Sequence, residues 1–278
     1  MQRHQQFNRN SEGRWQAFAG HRAQVTALLE AAAPKPPGSL GRLCVLGAGN
    51  CNDLDLARLL PQFREIHLVD LDPEAMNRAM ARQQVLAEAP VFLHAPIDLT
   101  GALPRLARHA HSAPTPADLA ELEQTCGQSV LENLPGPFDV VLSACLLSQL
   151  MHTCRLALGA ENPALKAIAN ALVISHLRTT VGLTAPGGTA VLATDTASSR
   201  TYPLVELFGE QPPLALLDQL ERSDNTLSGT APAYLRRVLA RDPVLRSQLG
   251  ARRLVEPWLW DLGDEITLLA YALVLERV

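Results

Sequence analysis

The sequence lacks the features that would place the protein outside the cytosol. Its five cysteines are an odd number and contain no C-x-x-C pair, which argues against a disulfide framework and against a zinc site. No apolar run approaches the roughly 18 residues that a membrane-spanning helix needs. The N-terminus has no basic-then-apolar pattern of a secretion signal. We therefore expect a cytoplasmic protein with reduced thiols, no metal and no membrane partner.

An excess of positive charge is also absent. The 278 residues include 24 Lys and Arg against 28 Asp and Glu, which gives a formal net charge of −4. General binding to nucleic acid is therefore not expected. Apolar residues make up 47% of the chain, enough to form a sizeable core in one large domain, with or without appendages.

The most informative stretch of the sequence is an apolar run followed by a glycine turn. Residues 43–46 form a short apolar run, typical of a buried parallel strand, and Gly47, Ala48 and Gly49 follow directly. A helix is predicted next, over 53–60. A strand, a tight glycine turn and a helix N-terminus leave backbone N–H groups facing outward, and glycine lets a ligand approach the backbone closely. The pattern predicts a site for a nucleotide-like ligand.

The second predicted strand, 65–70, ends in the carboxylate Asp70, about twenty residues after the glycine turn. At this position of a parallel α/β sheet, a carboxylate can accept two hydrogen bonds from the hydroxyl groups of a ribose. The glycine turn and the acidic strand end together predict an adenosine-type ligand.

Strands and helices alternate along the rest of the chain. This order predicts an α/β fold with a parallel sheet, right-handed crossovers and helices on both faces. A closing hairpin would add antiparallel pairing at one edge. The predicted strands are 42–46, 65–70, 91–94, 138–143, 189–194 and the hairpin 258–260 with 266–274, and the predicted helices are 53–60, 72–88, 116–133, 163–183, 212–222 and 231–248.

A helical extension precedes the first strand. Residues 1–10 are polar and are expected to be loose, whereas residues 11–33 have apolar residues on one helical face and end before Pro34. This helix either packs on the domain or forms a lid from which Trp15 touches the substrate. We predict an N-terminal extension at 1–40 and a ligand-binding domain at 41–278.

Several of these motifs resemble those of class I S-adenosylmethionine-dependent methyltransferases. The similar segments are Val45-Leu46-Gly47-Ala48-Gly49, Leu68-Val69-Asp70-Leu71-Asp72, Ile97-Asp98, Phe138-Asp139-Val140-Val141-Leu142 and Leu183-Thr184-Ala185-Pro186-Gly187-Gly188. The resemblance implies a Rossmann-like, seven-stranded and mostly parallel sheet whose last strand is antiparallel, with S-adenosylmethionine as cofactor. The cofactor contacts that it implies are Gly47, Ala48, Gly49, Asn50, Asp53, Asp70, Leu71, Ile97, Asp98 and Ser143.

The chain departs from the family pattern just ahead of the glycines. The family often has an acidic residue there that helps to hold the methionine amino group, but this chain has Val45 or Leu46. Asn50, Asn52, Asp53 or the backbone near Ser143 could make the contact instead. Asp53 could equally begin the following helix, since aspartate is favoured at helix N-termini.

The methyl acceptor is expected beyond the C-terminal ends of the fourth and fifth strands. The catalytic candidates there are His152, as a general base, and Asp195, which ends the fifth strand. Gln149, Tyr202 and Trp15 are the candidate substrate contacts. His152 could also be a structural helix residue. The segment after the fourth strand lacks the Asp/Asn-Pro-Pro-Tyr tetrapeptide of many enzymes that methylate nucleic-acid or protein amide nitrogens, which favours a small-molecule acceptor.

Other interpretations stay open at this point. The missing acidic residue would suit a non-catalytic protein that binds S-adenosylmethionine or S-adenosylhomocysteine. A dinucleotide-dependent oxidoreductase would need a third glycine where Asn52 stands. His176 is expected to pack within the long helix or to lie on its surface. The apolar faces of the N-terminal helix and of 212–248 could pack within one chain or in a homodimer.

Overall fold

The computed structural model describes residues 2–34, 40–101, 106–110 and 113–278. Its centre is one sheet of eight strands. The strands are β1 Gly41–Leu46, β2 Phe63–Val69, β3 Val91–His94, β4 Phe138–Ala144, β5 Thr184–Ser198, β6 Leu249–Leu254, β7 Trp258–Gly263 and β8 Ile266–Arg277.

Helices surround this sheet. The first four are α1 Gln2–Ser11, α2 Ala19–Ala32, α3 Leu56–Leu59 and α4 Pro73–Arg82. The others are α5 Pro116–Thr125, α6 Gln128–Asn133, α7 Leu146–Leu158, α8 Leu165–Leu183, α9 Leu204–Glu210, α10 Pro213–Arg222, α11 Pro232–Arg241 and α12 Pro243–Gln248, and a short 3-10 helix spans Ala107–Ala110. None of the described helices is both long and apolar enough to cross a membrane.

The strand order is β3-β2-β1-β4-β5-β8, with β6 and β7 both on the outer edge of β8. The strands β1 to β5 are parallel to their neighbours, and β8 is antiparallel to β5. Residues 255–257 separate β6 from β7, and the Val255 N–H donates to the Ala272 carbonyl of β8 over 2.8 Å. β6 and β7 thus occupy one interrupted position, so the predicted seven-position sheet with an antiparallel last strand is confirmed.

Both faces of the sheet are buried, as is usual when strands are joined by helical crossovers. On one face, Val25 and Leu29 of α2 pack into a cluster with Leu43 of β1. On the other, Val173 and Leu177 of α8 pack against strands β5 and β8. This arrangement fixes the carboxyl ends of β1, β2, β4 and β5 along one edge of the sheet.

Several boundaries differ from the prediction. The segment 1–10, expected to be loose, contains α1, and the helix expected from residue 11 begins at Ala19. α1 is polar, and its helical form is supported by tertiary hydrogen bonds rather than by an apolar face. β6 and α9 were not predicted. Most of the predicted linker at 34–39 lies outside the described residues.

Two predicted long helices are each interrupted. The helix predicted at 116–133 breaks at Gly127, whose φ of +87° leaves the right-handed helical region. The helix predicted at 231–248 breaks at Asp242, which caps α12 by accepting a hydrogen bond from the Leu245 N–H. Pro243 follows at the first helical position, where its missing N–H is tolerated.

Candidate functional site

The glycine turn and Asp70 meet at the carboxyl edge of the sheet. Gly47 and Gly49 have φ of +81° and +48°, which glycine adopts more readily than any other residue. The N–H groups of Gly47 and Ala48 donate to the Val69 carbonyl at the end of β2, over 2.9 and 3.1 Å. The Gly49 N–H donates to Oδ2 of Asp70 over 2.8 Å. The two features that the sequence predicted to act together are therefore joined directly.

Asp70 is half-buried and held in place by the backbone. Its Oδ1 accepts from the Asp72 N–H over 2.9 Å. Burial raises the pKa of Asp70 above its usual value, and the hydrogen bonds from Asp72 and Gly49 act in the opposite direction. Each carboxylate oxygen has two lone pairs, so Asp70 can accept further hydrogen bonds from a ligand.

A cavity of about 50 Å³ lies beside Asp70. Leu71, Ile97 and Asp98 line it together with Asp70, and Gln149 of α7 also contributes. Five of the residues predicted to contact cofactor or substrate thus share one space. Small-molecule sites usually enclose about 300–1,000 Å³, so this cavity can be only part of a nucleoside site in the closed arrangement seen here.

The wall formed by Ile97 and Asp98 is positioned by the end of β2. The Ile97 N–H donates to the Asp70 carbonyl over 2.9 Å. Oδ1 of Asp98 accepts from the N–H of Thr100 over 2.9 Å and from its hydroxyl over 2.7 Å. The carboxylate of Asp98 is therefore oriented before any ligand binds.

Ser143 of β4 is turned towards α8. It is fully buried, and its Oγ lies 2.8 Å from Nε2 of His176. Burial lowers the pKa of His176 to about 4, so the ring is neutral at physiological pH. His176 also lines the cavity beside Asp70. This position of His176 was not predictable from the sequence, because a single histidine in an apolar helix has no diagnostic spacing.

α1 covers the glycine turn. Nδ2 of Asn8 donates to Oδ2 of Asp72 over 3.2 Å, and the Asn8 carbonyl accepts from Nδ2 of Asn50 over 2.5 Å. A Cβ atom added to Gly49 would stand 2.9 Å from Oδ1 of Asn8. The side chain of Asn8 therefore rests on the turn, where a ligand would approach.

A second polar group is buried at the same edge, on the α2 face of the sheet. Nε2 of His21, on α2, lies 3.2 Å from Oδ1 of Asp53 and 3.8 Å from Sγ of Cys145, which follows β4. Oδ1 of Asp195, near the end of β5, accepts from the Ser148 hydroxyl over 2.6 Å. The elements α2, α7, β4 and β5 and the glycine turn thus contribute to one cluster.

The tautomer of His21 follows from its partner Trp258. The indole N–H of Trp258 donates to Nδ1 of His21 over 3.1 Å, so a neutral ring carries its proton on Nε2. Oδ1 of Asp53 has no hydrogen-bond partner, because it is close to Nε2 without being aligned with its N–H. His21 can therefore donate at Nε2 but cannot accept a proton there.

The charges in this cluster depend on burial. Burial raises the pKa of Asp195, and the Ser148 hydrogen bond partly opposes this. Burial also raises the pKa of Cys145 far above its usual value, and the carboxylates of Asp53 and Asp195 raise it further. Cys145 is thus a neutral thiol, and all five cysteines are buried and form no disulfide. No group of three His, Cys, Asp or Glu among the described residues could hold a metal ion.

Three predicted residues lie elsewhere. His152 is on the exposed side of α7 and does not line the cavity. The Tyr202 hydroxyl accepts from Nε2 of Gln219 over 2.9 Å within the α9–α10 region. The guanidinium of Arg22 lies over the ring of Trp15, with its Cζ 3.5 Å from the ring centre. Their roles stay predictions, and the structure brings none of the three to Asp70 or Asp195 by a contact.

Comparisons with known proteins give only distant similarities. No protein-family model matches the chain, and no curated protein matches it. The N-methyltransferase NodS from Bradyrhizobium japonicum, solved with S-adenosyl-L-homocysteine, is 13% identical over 95% of this chain and 91% of its own, with a TM-score of 0.47. An rRNA methylase from Streptococcus thermophilus is 10% identical over 92% and 95%, with a TM-score of 0.43. The YcgJ protein from Bacillus subtilis is 13% identical over 92% and 98%, with a TM-score of 0.45.

The fold is assigned from the strand order and not from these similarities. Five parallel strands in the order β3-β2-β1-β4-β5 are followed by the antiparallel β8, with β6 and β7 outside it. The glycine turn and Asp70 lie at the carboxyl ends of β1 and β2. The chain therefore has the Rossmann-like fold of class I S-adenosylmethionine-dependent methyltransferases.

Proposed function

We propose that this protein is a methyltransferase that transfers a methyl group from S-adenosylmethionine to an O or N atom of a small molecule. The observation that carries the proposal is the 2.8 Å hydrogen bond between the Gly49 N–H and Asp70. This bond places a glycine turn and a carboxylate against each other at the edge of the sheet where open α/β folds bind nucleotides.

The residues at this edge fit the cofactor. Asp70 would accept from the ribose hydroxyls, and Leu71 and Ile97 would pack beside the adenine. Two buried oxygens near the turn, Oδ1 of Asn50 and Oδ1 of Asp53, have no hydrogen-bond partner. Buried acceptors are normally satisfied, so these two suit the ammonium group of a methionine moiety. They would replace the acidic residue that the family often has ahead of the glycines.

The chemistry asks little of the protein beyond positioning. Bound S-adenosylmethionine supplies a methyl group that is already activated by its positive sulfur. The protein has to hold the acceptor in line, exclude water and receive one proton. Asp195 suits the last task, since it is a buried carboxylate near the end of β5 whose described hydrogen-bond donor is the Ser148 hydroxyl.

We also infer that α1 acts as a lid. It rests on the glycine turn through Asn8 and leaves a cavity of about 50 Å³ beside Asp70. An adenosine-sized ligand needs several times this volume. α1 must therefore move away from the turn when the cofactor enters.

Calorimetry tests the cofactor assignment. We expect the protein to bind S-adenosylmethionine and S-adenosylhomocysteine but not NAD. Asp70→Ala should weaken both by about 1.5–3 kcal/mol, the scale of a hydrogen bond to a charged group. Asp218→Ala is the matched control, because Asp218 is exposed on α10, and it should leave the dissociation constants unchanged.

The outcomes separate the candidate functions. Absence of binding by the wild-type protein would end the methyltransferase proposal, and an unchanged dissociation constant in folded Asp70→Ala would remove Asp70 as the ribose contact. Binding of both ligands without methyl transfer to any small-molecule acceptor would favour a non-catalytic binding protein.

A further inference from the structure

We propose that the methyl acceptor is an amine, which binds as a cation against the carboxylate of Asp195. This inference rests on the proposed function and names its substrate class. It is drawn from the buried group on the α2 face, which we call the His21 cluster. Its members are His21, Asp53, Cys145, Ser148, Asp195, Trp258 and Trp260.

The cluster lies at the ends of β4 and β5, the edge of the sheet at which we expect the acceptor. The Cys145 N–H donates to the Ala193 carbonyl over 3.0 Å, which joins the end of β4 to β5 two residues before Asp195. Asp195 is paired with Ala270 of β8, and Ala270 is paired with Trp258 of β7. Directly paired residues of antiparallel strands point to the same face. Asp195 and Trp258 therefore share a face at the carboxyl edge of the sheet.

Asp195 is a buried carboxylate without a cationic partner. It is 4% exposed, and its Oδ1 accepts from the Ser148 hydroxyl. No ion pair joins it to any residue in the described part of the chain. Nδ1 of His21 accepts from the indole N–H of Trp258, so this nitrogen carries no proton in this arrangement. A buried charge is costly unless it is paired, so the site favours a ligand that brings a positive charge.

The cluster is also incomplete in its hydrogen bonding. Nε1 of Trp260 is buried without a hydrogen-bond partner. The Trp260 ring stacks on His21 with 4.1 Å between the ring centres. Trp260 is 6% exposed, so solvent does not supply the missing partner. The Trp260 N–H can only donate, so an acceptor or ring elsewhere on the ligand would satisfy it, whereas the ammonium group would pair with Asp195.

The proton balance also fits an amine. The ammonium form of the acceptor loses one proton to the Asp195 carboxylate. The nitrogen lone pair then forms the new N–C bond while the S–C bond breaks, and its electron pair stays on the sulfur. His21 cannot take the proton at Nε2, since that atom already carries one when Nδ1 accepts from Trp258. An alcohol would donate one hydrogen bond to Asp195 but bring no charge.

Benzylamine and benzyl alcohol form a matched pair of probes, because they share a ring and differ in the charged group. Both are titrated by calorimetry into protein saturated with S-adenosylhomocysteine at neutral pH. We expect benzylamine to bind at least about tenfold more tightly than the alcohol, the scale of one charge-assisted hydrogen bond. The Asp195→Asn protein should bind benzylamine and benzyl alcohol equally. It should bind S-adenosylhomocysteine with the affinity of the wild type. Asp195→Glu should restore part of the preference for the amine.

Three results would overturn the proposal: equal binding of amine and alcohol, an amine preference that survives in folded Asp195→Asn, or no binding of benzylamine to protein that has bound S-adenosylhomocysteine. Failure of the cofactor assignment is distinguishable from all three, because S-adenosylhomocysteine itself would then not bind. The fluorescence of Trp258 and Trp260 provides a second readout, and it should change on addition of benzylamine to the wild type and not to Asp195→Asn.

Discussion

At the scale of single residues, the glycine turn tolerates side chains least. Gly47 has a φ of +81°, and a Cβ atom there would stand 2.6 Å from both Cγ and Cδ2 of Leu146 at the start of α7. The backbone strain and the clash have separate causes, since a shift of Leu146 would relieve only the second. The close approach of α7 to the turn thus explains why glycine is needed even without a ligand.

Gly47→Ala should therefore destabilise the protein by about 1–3 kcal/mol. Urea unfolding followed by circular dichroism measures the loss. Gly20→Ala is the matched control, because Gly20 is exposed in α2 and an added Cβ has no atom within 4 Å. It should stabilise the protein by up to about 1 kcal/mol. Equal effects of the two substitutions would contradict this account of the turn.

At the scale of elements, the parallel strands were the most predictable part of the fold. β1 and β4 contain the fully buried apolar runs 43–46 and 140–142, and such runs are visible in the sequence. α1 and β6 were missed because neither has an apolar pattern. α1 depends on the hydrogen bond that Asn8 donates to Asp72 and on the one that its carbonyl accepts from Asn50, and β6 depends on its pairing with β8.

The site shows the same contrast between contacts that local sequence motifs predict and contacts that depend on tertiary packing. Gly49 and Asp70 closely follow the neighbouring strands β1 and β2, so local motifs predicted that they would act on the same ligand. His21 and Trp258 are 237 residues apart in the chain, and His21 and Cys145 are 124 residues apart. No local pattern links such residues. Only the packing of α2 over the sheet brings them together.

The proposed role of α1 as a lid makes a kinetic prediction. Asn8→Ala removes the hydrogen bond from Nδ2 of Asn8 to Asp72, which should favour the open position of α1 by about 0.5–1.5 kcal/mol. Because the open population limits binding, S-adenosylhomocysteine should associate about 2–10 times faster and bind more tightly by a similar factor. Stopped-flow fluorescence measures the rate.

Asn10→Ala is the control for this lid experiment, since Asn10 is on the same helix but is exposed and bonds only within α1 among the described residues. It should leave the association rate unchanged. An Asn8→Ala protein that binds at the wild-type rate would show that α1 does not obstruct entry.

At the scale of the whole molecule, His176 is a buried titratable group on α8 that ties this helix to β4 through Ser143. α8 packs across the face of the sheet, with Val173, Leu177 and Val181 in the same core cluster. The protonation state of His176 should therefore affect global stability.

The direction of this effect follows from its pKa. Burial lowers the pKa of His176 to about 4 from 6.5, so below pH 6.5 the unfolded chain binds a proton that the folded protein resists. The free energy of unfolding should fall as the pH drops from about 6.5 towards 4, by an amount on the order of 3 kcal/mol for this residue. Burial also lowers the pKa of His67 and of His94, which adds to the loss in the same direction.

Urea unfolding of the wild type and of His176→Gln between pH 7 and pH 4.5 isolates the contribution of His176. Glutamine can still hydrogen-bond to Ser143 but does not titrate, so the unfolding free energy of His176→Gln should fall less steeply with acidification. If His176→Gln instead follows the wild-type curve, the ring is protonated in the folded protein at little cost, and α8 then has to open enough around Ser143 to solvate it.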